Sequence, residues 1–125
     1  MYHIELNTNK KIIYVHLSGS LTTDEIITYL NDFKNLANQH ETNEFSILIL
    51  ANTLDPLPQD SLGIYISIIK IMLSWAKKIA YVNGNRFITN MQLSRVETEA
   101  RNSINSDTHI LRFKTKNEAF VYINR

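Results

Sequence analysis

The sequence predicts an α/β fold: a five-stranded, mostly parallel sheet with an antiparallel hairpin at one edge and four helices. Three observations lead to this prediction, namely two helix-start motifs, a continuous apolar run at 45–51 and a regular alternation of strand-like and helix-like segments. Strands that alternate with helices favour parallel pairing, because each helix carries the chain back across the sheet. The predicted order of elements is β-β-α-β-α-β-α-β-α.

Length and composition indicate one folded domain over 1–125. Apolar residues make up 44% and charged residues 20% of the chain, with three glycines and two prolines, which favours a packed protein over a disordered one. Thirteen basic and twelve acidic side chains leave a net charge of +1. Because nucleic-acid binders normally carry a clear excess of positive charge, we do not expect nucleic acid as a partner.

The chain contains no cysteine, which excludes thiol catalysis, disulfides and cysteine-ligated zinc. This composition fits a reducing compartment. The N-terminus lacks the basic stretch and apolar run of a signal peptide, and the longest apolar segment, 62–73, is interrupted by Lys70 and too short to span a bilayer. We therefore expect a cytoplasmic protein without a membrane span.

Two alternating segments, 3–7 and 12–18, predict a β-hairpin around a two-residue turn at 9–10. Pairing residues whose numbers add up to 19 places Ile4 opposite Val15. This register puts the aliphatic side chains on one face of the hairpin, whereas a slip by one residue would mix the faces. We predict the sum-of-19 register.

The sequence offers no catalytic or metal-binding motif. Glycine-rich phosphate loops, nucleophile elbows and zinc-binding helices are missing, so we expect no enzyme, no catalytic residue and no cofactor. The predicted hairpin brings His3 and His16 together on its outer face. Two histidines without a carboxylate or cysteine cluster make a weak metal site, so we expect a solvated face and no metal.

Two Thr-x-x-Glu motifs mark the starts of helices. Thr22 and Glu25 form a capping box for a first helix that runs to about residue 39, and Thr115 and Glu118 repeat the pattern for a short last helix. In such a box the threonine hydroxyl and the glutamate carboxylate each accept a backbone N–H of the first turn. These are the most specific helix boundaries in the chain.

The remaining strands are predicted from apolar runs. The run at 45–51 shows no alternation, as expected for a central parallel strand covered on both faces. A second buried strand is predicted at 78–83, and a last strand at 108–115. Between these two, residues 89–104 form a weakly amphipathic helix.

The helix predicted over 61–76 is apolar around more of its circumference than one sheet face can cover. Its second apolar stripe consists of Ile64, Ile68, Ile71 and Trp75. Two interpretations remain open at this point. The stripe is either buried under the chain's own loops and third helix, or it is an interaction surface for a protein partner or a second copy of the chain.

Asp60 and Ser61 stand where this helix begins. The first backbone N–H groups of a helix lack intrahelical partners, and the helix dipole is positive there. Ser61 is therefore predicted to be either a helix cap or an acceptor of phosphate. Asp60 belongs to the same predicted interaction surface.

Three short segments resemble motifs of the STAS domain family, which includes anti-sigma factor antagonists, sulfate-transporter tails and SpoIIAA-like proteins. The segment 60–63, Asp-Ser-Leu-Gly, is similar to the family's Asp-Ser-Ser-Gly at the start of the second helix, and Ser61 falls on the phosphorylated position. The segments 19–22 and 113–119 are similar to the family's junctions before the first and last helices. Together these segments place the resemblance along nearly the whole chain.

The resemblance implies a non-catalytic regulatory module in a bacterial-type cytoplasm, acting by protein contact through the second helix and its N-terminal loop. A phosphate on Ser61 would add negative charge to that surface and switch docking. Leu62 stands where the family has its second serine. The SpoIIAA-like branch often lacks the phosphorylation motif, so this departure is similar to that branch. That branch implies the alternative, a carrier or sensor of an apolar small molecule held in a pocket lined by Ile68, Ile71 and Trp75.

Overall fold

A single sheet organises the computed structural model, which describes residues 1–106 and 108–125. In this part of the chain the five strands lie side by side in the order in which they occur. They are β1 (Tyr2–Asn7), β2 (Ile12–Gly19), β3 (Ser46–Leu54), β4 (Ile79–Asn83) and β5 (Ile110–Phe113). β1 is antiparallel to β2, and the other three pairs are parallel. The predicted architecture is confirmed.

In the described part of the chain, four helices cover the two faces of the sheet. They are α1 (Thr23–Gln39), α2 (Leu62–Trp75), α3 (Phe87–Ile104) and α4 (Lys116–Ile123), and a short 3-10 turn (Gln59–Ser61) leads into α2. α1, α2 and α3 pack on one face and share the larger core. α4 packs alone on the other face over a smaller core. None of the helices formed by the described residues has the length and apolar character that crossing a bilayer requires.

The central strand β3 explains the unbroken apolar run in the sequence. Ile47 and Ile49 point into the larger core, Leu48 points into the smaller one, and all three are fully buried. A strand covered on both faces has no solvent side, so apolar residues predominate in its middle, although its first residue, Ser46, is polar and also buried. The prediction that 45–51 is the central strand is confirmed.

The hairpin has the predicted register but a different turn. Ile4 pairs with Val15, and His3 pairs with His16. The turn contains four residues, 8–11, rather than the predicted two. The Asn7 side chain accepts the Lys10 N–H at 3.0 Å, and a left-handed residue at position 11 (φ 58°) then completes the longer loop.

The first helix begins with the predicted capping box. The Glu25 N–H donates to the Thr22 hydroxyl oxygen at 3.1 Å, and the Thr22 N–H donates to the Glu25 carboxylate at 3.1 Å. At the last helix only half of the box forms. Thr115 accepts the Glu118 N–H and its hydroxyl donates to the Glu118 carboxylate, but the Thr115 N–H makes no bond to that carboxylate.

Several boundaries differ from the sequence-based expectation, and β3 extends to Leu54, three residues past the predicted end at 51. α3 begins at Phe87, two residues before the predicted start at 89, and β5 is limited to Ile110–Phe113 where 108–115 was expected. The earlier start of α3 matters for the site below, because it places two large apolar side chains, Phe87 and Ile88, on the first helical turn. Propensity alone does not locate such a start, since no capping side chain precedes it.

The capping box gives a direct stability prediction. Thr22→Ala removes the acceptor for the Glu25 N–H, so we expect the free energy of unfolding to fall by about 1 kcal/mol. Thr28→Ala, in the middle of the same helix, is the control and should be neutral or slightly stabilising, because alanine has the better helix propensity. Urea denaturation of both variants measures the difference. Equal midpoints for Thr22→Ala and the wild type would show that the box contributes nothing.

Candidate interaction site between helices α2 and α3

Helix α2 lies between α1 and α3 on the larger core. This position buries most of its circumference. Ile68 is 0% and Trp75 is 6% exposed, while Ile64 and Ile71 are half-buried. The prediction that Ile68 and Trp75 belong to an exposed interaction surface is therefore wrong. The flanking helices of the chain itself cover the wide apolar arc.

Trp75 is held in an aromatic cluster at the end of α2. Its ring stacks on Phe45 with centroids 6.1 Å apart and meets Phe33 edge-on at 5.8 Å. The indole N–H donates to the His40 carbonyl at 3.1 Å. Satisfying the N–H while burying the ring is the usual arrangement of a core tryptophan.

The pocket expected for an apolar ligand around Ile68, Ile71 and Trp75 does not form. Ile71 and Trp75 border a shallow hollow of about 420 Å³ near His40, but Ile68 lies beneath the surface and takes no part in it. The hollow also includes polar side chains such as Lys70 and Ser74. A groove with apolar walls lies instead on the other side of α2, towards α3.

Ser61 occupies the N-cap position of α2 without capping it. Its backbone continues the 3-10 turn (φ −101°, ψ −2°) instead of taking the extended conformation of a capping residue. The hydroxyl consequently points backwards and donates to the Pro58 carbonyl at 2.8 Å. Ser61 is fully buried. The expectation of a side-chain cap is wrong, and a phosphate could reach this oxygen only if the turn opened.

Asp60 remains on the surface, as expected, and it connects two helix starts. The Thr23 hydroxyl donates to its carboxylate at 3.2 Å. This contact joins the turn before α2 to the first residue of α1. The carboxylate therefore has a structural bond and also faces solvent.

The proline-containing loop before α2 is clamped to α3. The Leu57 N–H donates to the Gln92 side-chain oxygen at 2.7 Å, and the Gln92 amide donates to the Leu57 carbonyl at 3.0 Å. Asp55 adds an ion pair with Arg86, just before α3. These bonds fix the loop at a constant position relative to the first half of α3.

A groove runs between the 3-10 turn (Gln59–Ser61), α2 and α3. It encloses about 670 Å³. Its apolar walls are formed by Leu62 and Ile66 on α2 and by Phe87, Ile88, Met91 and Val96 on α3. Polar side chains surround this apolar centre, namely Gln59, Gln92, Arg95 and Glu99. The groove thus has apolar walls with polar side chains at its margin.

Three of the groove residues are large, apolar and mostly exposed. Phe87 is 75%, Ile88 is 61% and Met91 is 57% exposed. We call these three residues the α3 patch. Sequence reasoning missed the patch because the helix was expected to start at 89, so Phe87 and Ile88 were assigned to a loop. The available signal was the spacing of 87, 88 and 91, which places the three on one helix face.

Beneath α3 lies a buried polar cluster that ties the helix to the sheet. The Glu97 carboxylate pairs with Arg112 on β5 at 2.7 Å, and burial raises the pKa of Glu97 against the opposing effect of Arg112. Nearby, the hydroxyls of Tyr65 and Tyr81 share a hydrogen bond of 2.9 Å. Burial raises the pKa of both tyrosines, so they remain neutral and do not act as bases at physiological pH.

The two histidines of the hairpin lie side by side, with ring centroids 5.8 Å apart. His3 also approaches Glu5 at 3.7 Å. In residues 1–106 and 108–125 no group of three or more histidine or carboxylate side chains could hold a metal ion. The pair has the neighbouring geometry that the hairpin register predicts.

The clamp between Gln92 and Leu57 gives a second stability prediction. Gln92→Ala leaves a buried N–H and carbonyl of Leu57 without partners, so the free energy of unfolding should fall by about 1–3 kcal/mol. Ser94→Ala, an exposed position on the same helix, is the control and should stay within about 0.5 kcal/mol of the wild type. Chemical denaturation provides both values. A Gln92→Ala variant as stable as the control would mean that the loop is held by other contacts.

The chain resembles known proteins in its fold. No protein-family model matches it, and no curated protein sequence gives a significant match. Solved structures do match. An uncharacterised protein of the DUF3478 family from Shewanella loihica PV-4, with a SpoIIAA-like fold, superposes with a TM-score of 0.70 at 16% identity, covering 98% of this chain and 92% of that one.

Two structures of SpoIIAA are also similar. The phosphorylated form of this Bacillus cell fate determinant gives a TM-score of 0.62 at 11% identity, covering 98% of this chain and 99% of that one. The unphosphorylated anti-sigma factor antagonist SpoIIAA gives 0.65 at 12% identity, covering 98% and 96%. At these identities the likeness is one of fold, and it extends over the whole sheet and all four described helices. The chain has the SpoIIAA-like fold, which the resemblance at 19–22, 60–63 and 113–119 predicted.

Proposed function

We propose that this protein is a non-catalytic regulatory module that binds a protein partner through the groove between α2 and α3. The main support for this proposal is the α3 patch, in which three large apolar side chains are exposed together. Soluble domains rarely expose several large apolar side chains together unless the surface makes a contact. Aromatic and methionine side chains, as at Phe87 and Met91, are enriched in the centres of protein interfaces.

The distribution of polarity supports protein contact. Arg95 and Glu99 stand at the margin of the groove, where they approach each other at 3.4 Å, and both are exposed. An apolar centre with a polar rim is the common anatomy of protein interfaces. The rim charges are of opposite sign, so they add specificity to docking without a strong field of either sign.

The rigidity of the surroundings also supports binding. α2 is fixed by its buried face, and Gln92, which lines the groove, is bound to the Leu57 backbone through both its amide oxygen and its amide nitrogen. A surface that is already in place loses less conformational entropy when a partner docks. The proposed site therefore needs no folding step before binding.

The proposal differs from the sequence-based expectation at Ser61. A switch by phosphorylation there would require the buried hydroxyl to leave the Pro58 carbonyl and the 3-10 turn to open. We therefore propose a module that binds constitutively. Its proposed location is a bacterial-type cytoplasm, which fits the cysteine-free sequence, and the name of one structural neighbour, an anti-sigma factor antagonist, fits regulation by protein contact.

A second candidate function is the binding of an apolar small molecule in the same groove. The volume of about 670 Å³ favours it, because ligand pockets commonly measure about 300–1,000 Å³. Native mass spectrometry of the purified protein separates the two functions. A co-purified small molecule, released when the protein is denatured and lost in Ile66→Asp, would favour the ligand and not the protein partner.

Differential affinity capture tests the proposed function. The wild type, Met91→Arg and Val121→Arg are immobilised and exposed to a lysate of the source organism, and the retained proteins are quantified by mass spectrometry. Met91 and Val121 are both 57% exposed, but Val121 lies on α4, across the sheet from the groove. We expect at least one protein that the wild type and Val121→Arg both retain. The amount of this protein retained by Met91→Arg should be about tenfold lower, since a central interface residue contributes about 1.4 kcal/mol or more.

Thermal unfolding of the three proteins provides the control for folding. Both substitutions change exposed residues, so each melting temperature should remain close to that of the wild type. If all three proteins retained the same set at the same levels, the groove would not be a contact surface. Loss of the captured protein in both variants would equally contradict a site between α2 and α3.

A further inference from the structure

The α3 patch and the groove together contain both halves of a self-complementary surface. Phe87 projects from the first turn of α3 with three quarters of its surface exposed, and it also forms one wall of the groove, whose volume is about 670 Å³. A two-fold interface uses the same patch on both subunits, so the patch must supply the projection and the depression at once. The surface between α2 and α3 meets this condition.

The chemistry along α3 is self-complementary as well. Met91 lies in the middle of the exposed stripe, with Phe87 one turn before it and Arg95 one turn after it. The Arg95 side chain is 78% exposed, and its ion pair with Glu99 is a loose contact of 3.4 Å. A guanidinium group and an exposed aromatic ring attract each other when they are brought face to face. Two antiparallel copies of α3 would create this contact twice.

We propose that a second copy of this chain occupies the groove. The two α3 helices pack antiparallel about a two-fold axis at Met91, so that Arg95 of each copy lies against Phe87 of the other. This inference rests on the proposed function, because it names the partner of the same surface.

The size of the apolar surface sets the expected strength of the dimer. Standard interfaces bury about 800 Å² on each partner, whereas the largest apolar patch of a monomer covers about 300–600 Å². Because only three large apolar side chains form the exposed centre of this contact, we expect a dimer of the weak class. The dimer should therefore dissociate on dilution into the micromolar range, and its mass should depend on concentration.

Cysteine crosslinking tests the proposed axis, and the cysteine-free chain makes the experiment clean. Met91→Cys should form a disulfide-linked dimer under mild oxidation about tenfold faster than Val121→Cys, because a disulfide requires Cα atoms within about 7 Å. Thr98→Cys is the second control. It lies seven residues from the axis, so the two copies of this position stand about 20 Å apart in the antiparallel arrangement and should not crosslink.

Sedimentation velocity of the unmodified protein completes the test. We expect the mass to rise with concentration from 14.5 kDa towards twice that value, and Arg95→Glu to remove the rise. Equal crosslinking at positions 91 and 121, or a mass that stays at 14.5 kDa up to several hundred micromolar, would overturn the dimer. A strictly monomeric protein whose Met91→Arg variant loses a captured partner would overturn the dimer and leave the proposed function standing. A mass that rises with concentration, together with no capture of any other protein, would confirm the dimer.

Discussion

The burial of α2 between α1 and α3 is the constraint on which the rest of this structure depends. The helix is apolar around most of its surface, so it needs a neighbour on each side in addition to the sheet beneath it. Phe33 from α1 packs against Trp75 at its end, and Leu93 and Val96 from α3 join the same core. The three helices and the doubly covered strand β3 therefore form one packed unit, in which removing any layer would expose the apolar surface of the others.

This packing determines where apolar surface is left free. α3 turns its buried residues, Thr89, Leu93, Val96 and Ala100, towards the core, so Phe87 and Ile88 on the outer face of its first turn are left facing solvent. The Gln92 clamp then holds the loop before α2 at the same end. The result is a groove beside the 3-10 turn in which the Ser61 hydroxyl is buried against the Pro58 carbonyl.

Sequence patterns predicted the parts of the fold that depend on local chemistry. Thr22 and Glu25 located a helix start, the alternation around Ile4 and Val15 gave the hairpin register, and the run at 45–51 identified the central strand. The site was not predictable in the same way. Whether Ile68 or Met91 faces solvent depends on which helices flank which, and the sequence shows only that both are apolar. The resemblance gave the fold and the location of Ser61 but not the burial of its hydroxyl.

The relative stability of two aspartate variants tests the central claim, that the inner stripe of α2 is core and the exposed surface belongs to α3. Ile68→Asp and Met91→Asp are compared by urea denaturation at low micromolar concentration, where self-association contributes little. Burying an unpaired carboxylate should cost Ile68→Asp about 3 kcal/mol or more, whereas Met91→Asp should remain within about 0.5 kcal/mol of the wild type. A mild effect at position 68 together with a severe one at 91 would contradict this account.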